Sequence, residues 1–241
     1  AHPRTPAQDR TAMPDYPFPL MVFAAGFGTR MGALTEARPK PLIPVAGRPL
    51  IDHALAVAKD AGVRHTVVNT HYRAAQIAEH LAGKGVAISH EAGQILETGG
   101  GLKAALPLLG DGPVAILNSD GIWTGANPLS ELSAAWDDNR MEALLLLLPL
   151  AETLAHGPKG DFRLAPDGRI SRGEGGEDGG QVGSRDGVRC GLAGRGFALS
   201  DCGHGLGSFG SGKETHRLRF QAQQVDGMLK TRPKPCGHPC G

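Results

Sequence analysis

The chain has 241 residues, a formal net charge of +1, and charged side chains at 20% of its positions. A nearly neutral chain of this kind has no bulk electrostatic drive toward nucleic acid or an anionic membrane surface. Its length admits one α/β domain, with or without an appendage.

Residues 1 to 19 are polar and proline-rich, with no apolar stretch before Pro17. They read as a disordered N-terminal extension rather than a secretory signal, and the expected location is cytoplasmic. The first apolar run, Met21 to Ala25, opens into a turn with Gly26 and Gly28, and Thr29, Arg30 and Lys40 follow. Glycines allow backbone N–H groups to close on an anion, and successive N–H groups in such a turn form a concave nest. Arg30 adds a permanently charged fork suited to phosphate oxygens, and Lys40 a mobile point charge. The segment therefore reads as a site for a ligand bearing several phosphates.

Leu50, Ile51, Ala54, Leu55, Val57 and Ala58 recur at helical spacing and stop at Gly62, a natural helix terminator. Thr66 to Thr70 reads as a strand, Ala74 to Leu81 as a helix ended by Gly83 and Gly85, and Val86 to Ile88 as a strand. Glu97-Thr98-Gly99-Gly100-Gly101 follows Glu91 and leads into a helix over Gly101 to Leu109. Its three glycines would let the backbone pass flat against a ring. Val114 to Leu117 is a strand ending in Asn118-Ser119-Asp120, Pro128 to Asn139 a helix, and Ala143 to Leu148 a strand. The apolar run to Leu150 is far too short to span a bilayer. Strands alternating with helices of this length predict a mostly parallel sheet with helices on both faces. Ligands bind such sheets at the carboxyl ends of the strands, where Gly26, Asn69 and Asp120 all fall.

The remainder differs in composition. Phe162 to Leu164 and Arg169 to Ser171 flank a Pro166-Asp167-Gly168 turn and predict a hairpin. From Glu174 onward there is no Ile, Tyr or Trp, and Val, Leu and Phe make up 11 of 68 residues. Half of the 36 glycines lie at or after Gly173. Too little apolar matter remains there for a packed core, so residues 173 to 241 read as a Gly-rich, low-order tail behind a domain spanning 20 to 172. Cys190, Cys202, Cys236 and Cys240 all lie in it, at spacings that match no standard zinc module, and read as free thiols.

Ala24-Ala25-Gly26-Phe27-Gly28-Thr29-Arg30-Met31, Leu34-Thr35, Pro39-Lys40-Pro41-Leu42 and Val45-Ala46-Gly47-Arg48-Pro49-Leu50 together resemble the signature of the sugar-phosphate nucleotidylyltransferases. The resemblance runs from about Leu20 to Arg172 and implies a Rossmann-like nucleotide-diphospho-sugar transferase fold. It implies that Ala25, Gly26, Gly28 and Thr29 cradle a nucleoside triphosphate, with Glu91, Thr98 and Gly99 against its base and ribose. Arg30 would hold the leaving pyrophosphate and Lys40 would neutralise charge near the reacting phosphates. Asp120 would ligate Mg²⁺, while Asn69 and Asn118, with His71 and Tyr72 nearby, would face the sugar 1-phosphate.

The loop E-T-G-G-G and the segment P-V-A-G-R-P-L-I look most like the N-acetylmuramate 1-phosphate uridylyltransferases. Mannose 1-phosphate guanylyltransferases are similar as well, and the base stays open. The family's second magnesium-binding Asp would have to come from Asp178, Asp186, Asp201 or Asp226, none of them in the family's sequence context. Slow turnover, or nucleotide binding without turnover, therefore stays open too. A dinucleotide-binding dehydrogenase fits poorly, because the glycines run Gly26, Gly28, Gly32 rather than G-x-G-x-x-G.

Overall fold

The structure is a computed structural model. It describes residues 15–147 together with the backbone of five short strands at 162–164, 170–172, 180–182, 190–193 and 220–224. The elements in chain order are β1 (Leu20–Phe23), β2 (Pro44–Val45), β3 (Arg48–Pro49), α1 (Leu50–Asp60), β4 (Thr66–Thr70), α2 (Ala74–Leu81), β5 (Val86–His90), α3 (Glu97–Leu109), β6 (Val114–Asn118), α4 (Pro128–Ala135), β7 (Ala143–Leu147), β8 (Phe162–Leu164), β9 (Ile170–Arg172), β10 (Gly180–Val182), β11 (Cys190–Ala193) and β12 (Phe220–Gln224). Two 3₁₀ turns, Thr29–Thr35 and Lys40–Leu42, lie between β1 and β2.

The main sheet runs β12-β7-β11-β6-β1-β4-β5, and only β11 is antiparallel to its neighbours. Its central strands are buried on both faces, as the continuous apolar runs require. Leu20, Val22, Val68, Ala115 and Leu117 point into one core with Ile51, Ala54 and Ala58 of α1, Ile77 and Leu81 of α2, and Leu129 and Leu132 of α4. The alternate residues Met21, Val67 and Val114 face Leu102, Ala105 and Leu109 of α3 on the other side. Period-two alternation within each strand thus distributes four helices over two faces. The chain moves from β1 to β4 on one side and later returns to place β6 on the other. The order therefore reverses at β1, which opens a crevice beyond the carboxyl ends of β1 and β6.

Three boundaries differ from the sequence reading by four residues or more. Residues 15–19, assigned to the disordered extension, pack against the domain. Tyr16 is buried, its N–H donates to Gly62 O at 3.2 Å, and Phe18 sets its ring edge-on to Tyr16 and Trp136. Helix α4 ends at Ala135 rather than Asn139. Trp136 turns extended, and the Asp137 carboxylate accepts the Asn139 N–H at 3.0 Å, a local turn that competes with helix. Helix α3 begins at Glu97 rather than Gly101, so the three glycines form its first turns and no flat loop exists.

The hairpin predicted around Pro166 to Gly168 is present as β8 paired antiparallel with β9. Beyond Arg172, where no strand was expected, β10 extends that hairpin, β11 inserts between β6 and β7, and β12 pairs with β7. Strands this short need backbone pairing rather than an apolar alternation of their own, so local sequence periodicity gives no sign of them.

Candidate functional site

The β1 strand delivers its chain into the crevice through Ala24 and Ala25, both buried, and the backbone then turns at Gly28 with φ +67°. Gly28 is required twice over. The left-handed conformation favours glycine, and a Cβ there would lie 2.9 Å from both Lys40 Cβ and Thr35 Cγ2. This close approach seats the Pro39-Lys40-Pro41 segment against the glycine turn. Thr35 Oγ1 donates to Gly32 O at 2.9 Å and closes the loop behind Thr29 and Arg30.

A cleft of about 320 Å³ results. Ala25, Gly26, Gly28, Thr29, Arg30, Lys40, Asn69, Thr98, Asn118 and Asp120 all line it, so ten of the twelve residues singled out from sequence converge there. They come from the ends of β1, β4 and β6, the loop after β1, and the first turn of α3. Lys40 Nζ lies 2.5 Å from Asp120 Oδ2, with both side chains about three-quarters buried. The carboxylate expected to hold a metal is thus paired with the cation expected to face phosphates, across 80 residues of sequence. Among the described residues no group of three or more His, Cys, Asp or Glu side chains is arranged to hold a metal ion. The tail aspartates considered above, Asp178, Asp186, Asp201 and Asp226, and the four cysteine thiols lie outside the described side chains.

Glu91 and Gly99 do not line the cleft, which corrects their assignment to nucleotide contact. Glu91 is 3% exposed and belongs to a buried strut beneath the cleft floor. Ala24 N–H donates to Asn69 Oδ1 at 2.7 Å, Asn69 Nδ2 donates to Glu91 Oε1 at 2.8 Å, and Leu96 N–H donates to Glu91 Oε2 at 2.8 Å. A buried carboxylate needs such donors, and satisfying them ties the exit of β1 to the entry of α3. Asn69 therefore lines the cleft while its amide holds the floor together. Gly99 is buried within α3, and its neighbours Glu97 and Thr98, with Ile95, face the cleft instead. Helical phase decides this, and it could be read only once the helix was known to begin at Glu97.

His71 and Tyr72, expected beside the sugar, do not line the cleft and instead brace the phosphate loop. His71 Nδ1 bonds to Glu91 O at 2.7 Å, and Tyr72 Oη donates to Thr35 O at 3.0 Å. Arg73 bonds to Glu36 O, and Gln76 Nε2 donates to Ala37 O at 3.2 Å. The Phe27 ring meets His71 edge-on at 5.4 Å and Tyr72 at 5.8 Å. The β4–α2 turn thus grips the phosphate loop at both ends. Only the residue types at 71–76 could have hinted at this, because the partners are some 40 residues away.

Comparison with known proteins identifies the family. Residues 20–147 match the MobA-like NTP transferase domain. The chain is 47% identical over 167 residues to the N-acetylmuramate alpha-1-phosphate uridylyltransferase of Caulobacter vibrioides, covering 65% of this chain and 69% of that protein. It is 39% identical to the enzyme of the same name from Neisseria meningitidis serogroup B, covering 62% and 66%. The chain therefore spans about two thirds of the length of these relatives. Among solved structures, HddC from Yersinia pseudotuberculosis superposes with a TM-score of 0.65 at 18% identity, over 86% of this chain and 90% of that one, a likeness of fold. Among the described residues no helix is long and apolar enough to cross a membrane. The chain belongs to the MobA-like NTP transferase domain family and, within it, to the sugar-phosphate nucleotidylyltransferases.

Proposed function

We propose that the protein transfers a nucleoside monophosphate, from UTP in the first instance, to a sugar 1-phosphate such as N-acetylmuramate 1-phosphate, releasing pyrophosphate. The observation that carries this reading is the meeting of Gly26–Arg30 with the Lys40–Asp120 pair in one cleft at the switch point of the sheet. An oxygen of the sugar phosphate attacks the α-phosphorus, the bond from that phosphorus to the bridging oxygen breaks, and pyrophosphate departs. A phosphate oxygen needs no side-chain base to act as nucleophile, so catalysis reduces to positioning and charge neutralisation. The backbone around Gly28 and the Arg30 guanidinium receive the departing phosphates, and Asp120 orients the Lys40 ammonium at the cleft wall.

Asp120 also suits Mg²⁺, which is commonly held by one or two carboxylates plus substrate phosphates and keeps several waters. The ion, when bound, would neutralise charge on the triphosphate. Loop 24–31 and the first turn of α3, with Thr98 toward the cleft, would enclose the nucleotide.

The test is pyrophosphate release across UTP, GTP, CTP and dTTP with N-acetylmuramate, N-acetylglucosamine and mannose 1-phosphates, with and without chelator. Release confined to UTP with N-acetylmuramate 1-phosphate is expected, and preference for GTP with mannose 1-phosphate would shift the assignment within the family. A second reading, nucleotide binding with little turnover, is favoured by the engagement of the Asp120 carboxylate with Lys40. Nucleotide binding without release for any acceptor would establish it instead.

A further inference from the structure

Glu97 is the first residue of α3 and lines the cleft. Its φ is +56°, a left-handed conformation that side chains such as Glu seldom adopt. Glycine would take it without penalty, so a carboxylate stands here against the local backbone preference. The conformation is imposed from beneath. Leu96 N–H is bonded to Glu91 Oε2, and Gly101, one turn further on, lies against Glu91 and Asn69. The residue itself is exposed, and among the described residues its carboxylate has no hydrogen-bond or ion-pair partner.

A carboxylate only accepts hydrogen bonds, and it repels phosphate. In a cleft that Arg30 and Lys40 also line, its complement is the uncharged, donor-rich part of a substrate. We infer that Glu97 is a specificity-determining residue that accepts hydrogen bonds from ring hydroxyls, either the ribose of the nucleotide or the sugar of the acceptor. The inference rests on the reading of the cleft as a nucleotide-sugar site. The plainer role, an acid in the first turn of a helix, would affect stability alone and leave substrate preference untouched.

Calorimetric binding to the full chain, Glu97→Gly and Glu97→Gln separates these roles. The ligands are UTP and GTP with their 2′-deoxy and 3′-deoxy analogues, and N-acetylmuramate 1-phosphate. Relief of the backbone strain should let Glu97→Gly fold at least as stably as the parent, so a lost preference would not reflect a lost fold. If Glu97 contacts the ribose, the parent prefers the ribonucleotide over a deoxy analogue by roughly 10- to 100-fold, the worth of one hydrogen bond to a charged group. Glu97→Gly then brings the ratio near unity, and Glu97→Gln, which keeps an accepting oxygen, retains part of it. If the contact is to the acceptor, the ribose ratio stays constant and Glu97→Gly weakens N-acetylmuramate 1-phosphate by a similar factor. Unchanged ratios and acceptor affinity in Glu97→Gly would overturn the inference. So would uniform tightening of every anionic ligand, the signature of merely deleting a negative charge. Failure of the parent to bind either ribonucleotide would overturn the nucleotide reading itself.

Discussion

Gly101 sits where α3 crosses the buried Asn69–Glu91 bond, and replacing it with alanine tests whether that strut is as tight as described. A Cβ at this position would lie 2.7 Å from Glu91 Oε1 and 2.8 Å from Asn69 Nδ2. Neither atom can retreat freely. Asn69 Oδ1 is already bonded to Ala24 N–H at 2.7 Å, and Glu91 Oε2 to Leu96 N–H at 2.8 Å. Within a helix, glycine to alanine ordinarily gains about 1 kcal/mol. Here the methyl must instead part a hydrogen bond to a buried charge, at a cost of about 1.5–3 kcal/mol. Net of that gain, Gly101→Ala should be less stable by about 0.5–2 kcal/mol, a fall of about 1–8 °C in Tm for a domain of this size. Gly100→Ala is the comparison, because its Cβ would touch no polar group and meet Leu96 Cβ alone, at a tight 3.0 Å that offsets the ordinary helix gain, so it should be close to neutral. Urea titration followed by circular dichroism, with calorimetry alongside, gives both values. A Gly101→Ala protein as stable as the parent would refute the strut. The same variant should weaken nucleotide binding more than Gly100→Ala, since the strut carries the backbone of Ala24 at the cleft floor.

Lys40→Ala and Arg30→Ala should each lower kcat/KM for pyrophosphate release by roughly 10²–10³-fold, the typical loss on removing one group aimed at developing charge. Because Lys40→Ala leaves the largely buried Asp120 carboxylate unpaired, its Tm should fall modestly while the fold is kept, and near-normal turnover in either variant would remove that side chain from the phosphate site. The β2–β3 turn holds Ala46 at φ +50° followed by Gly47 at φ +78°, so Ala46→Asn, which tolerates that conformation, should raise stability by about 0.5–1 kcal/mol. An unchanged or lower urea midpoint would count against the turn geometry. Asp52 is opposed by burial, which raises its pKa, but bonds from Lys84 at 2.7 Å and His80 at 2.9 Å outweigh this and hold it below the ordinary carboxylate value. With the folded pKa below the unfolded one, its stabilisation is complete above about pH 4 and is lost as pH falls through the folded value. Asp52→Asn should accordingly flatten the acid limb of stability against pH, and an acid limb identical to the parent's would show that the cluster does not form.

The residues of the phosphate loop were legible from the sequence because their chemistry is local. A strand, a glycine turn, an arginine and a proline-flanked lysine within about twenty residues announce an anion site before any fold is known. The alternation of strands and helices was legible for the same reason, since periods of 2 and 3.6 are properties of contiguous residues. What the sequence could not state was which side chains meet across the fold. The pairing of Lys40 with Asp120, the strut from Ala24 through Asn69 to Glu91, and the bracing of Thr35 and Glu36 by Tyr72 and Arg73 join residues 22 to 80 positions apart. Glu91 was assigned to the base and ribose by the family resemblance. Tertiary packing buried it and satisfied it with amide donors. Glu97 was read only as the opening of the E-T-G-G-G loop, with no role for its own side chain, because the start of α3 at residue 97 became visible only in the fold. Local chemistry was enough to name the ligand class, whereas the roles of the surrounding polar residues depended on which of them the sheet order buried and which it left open.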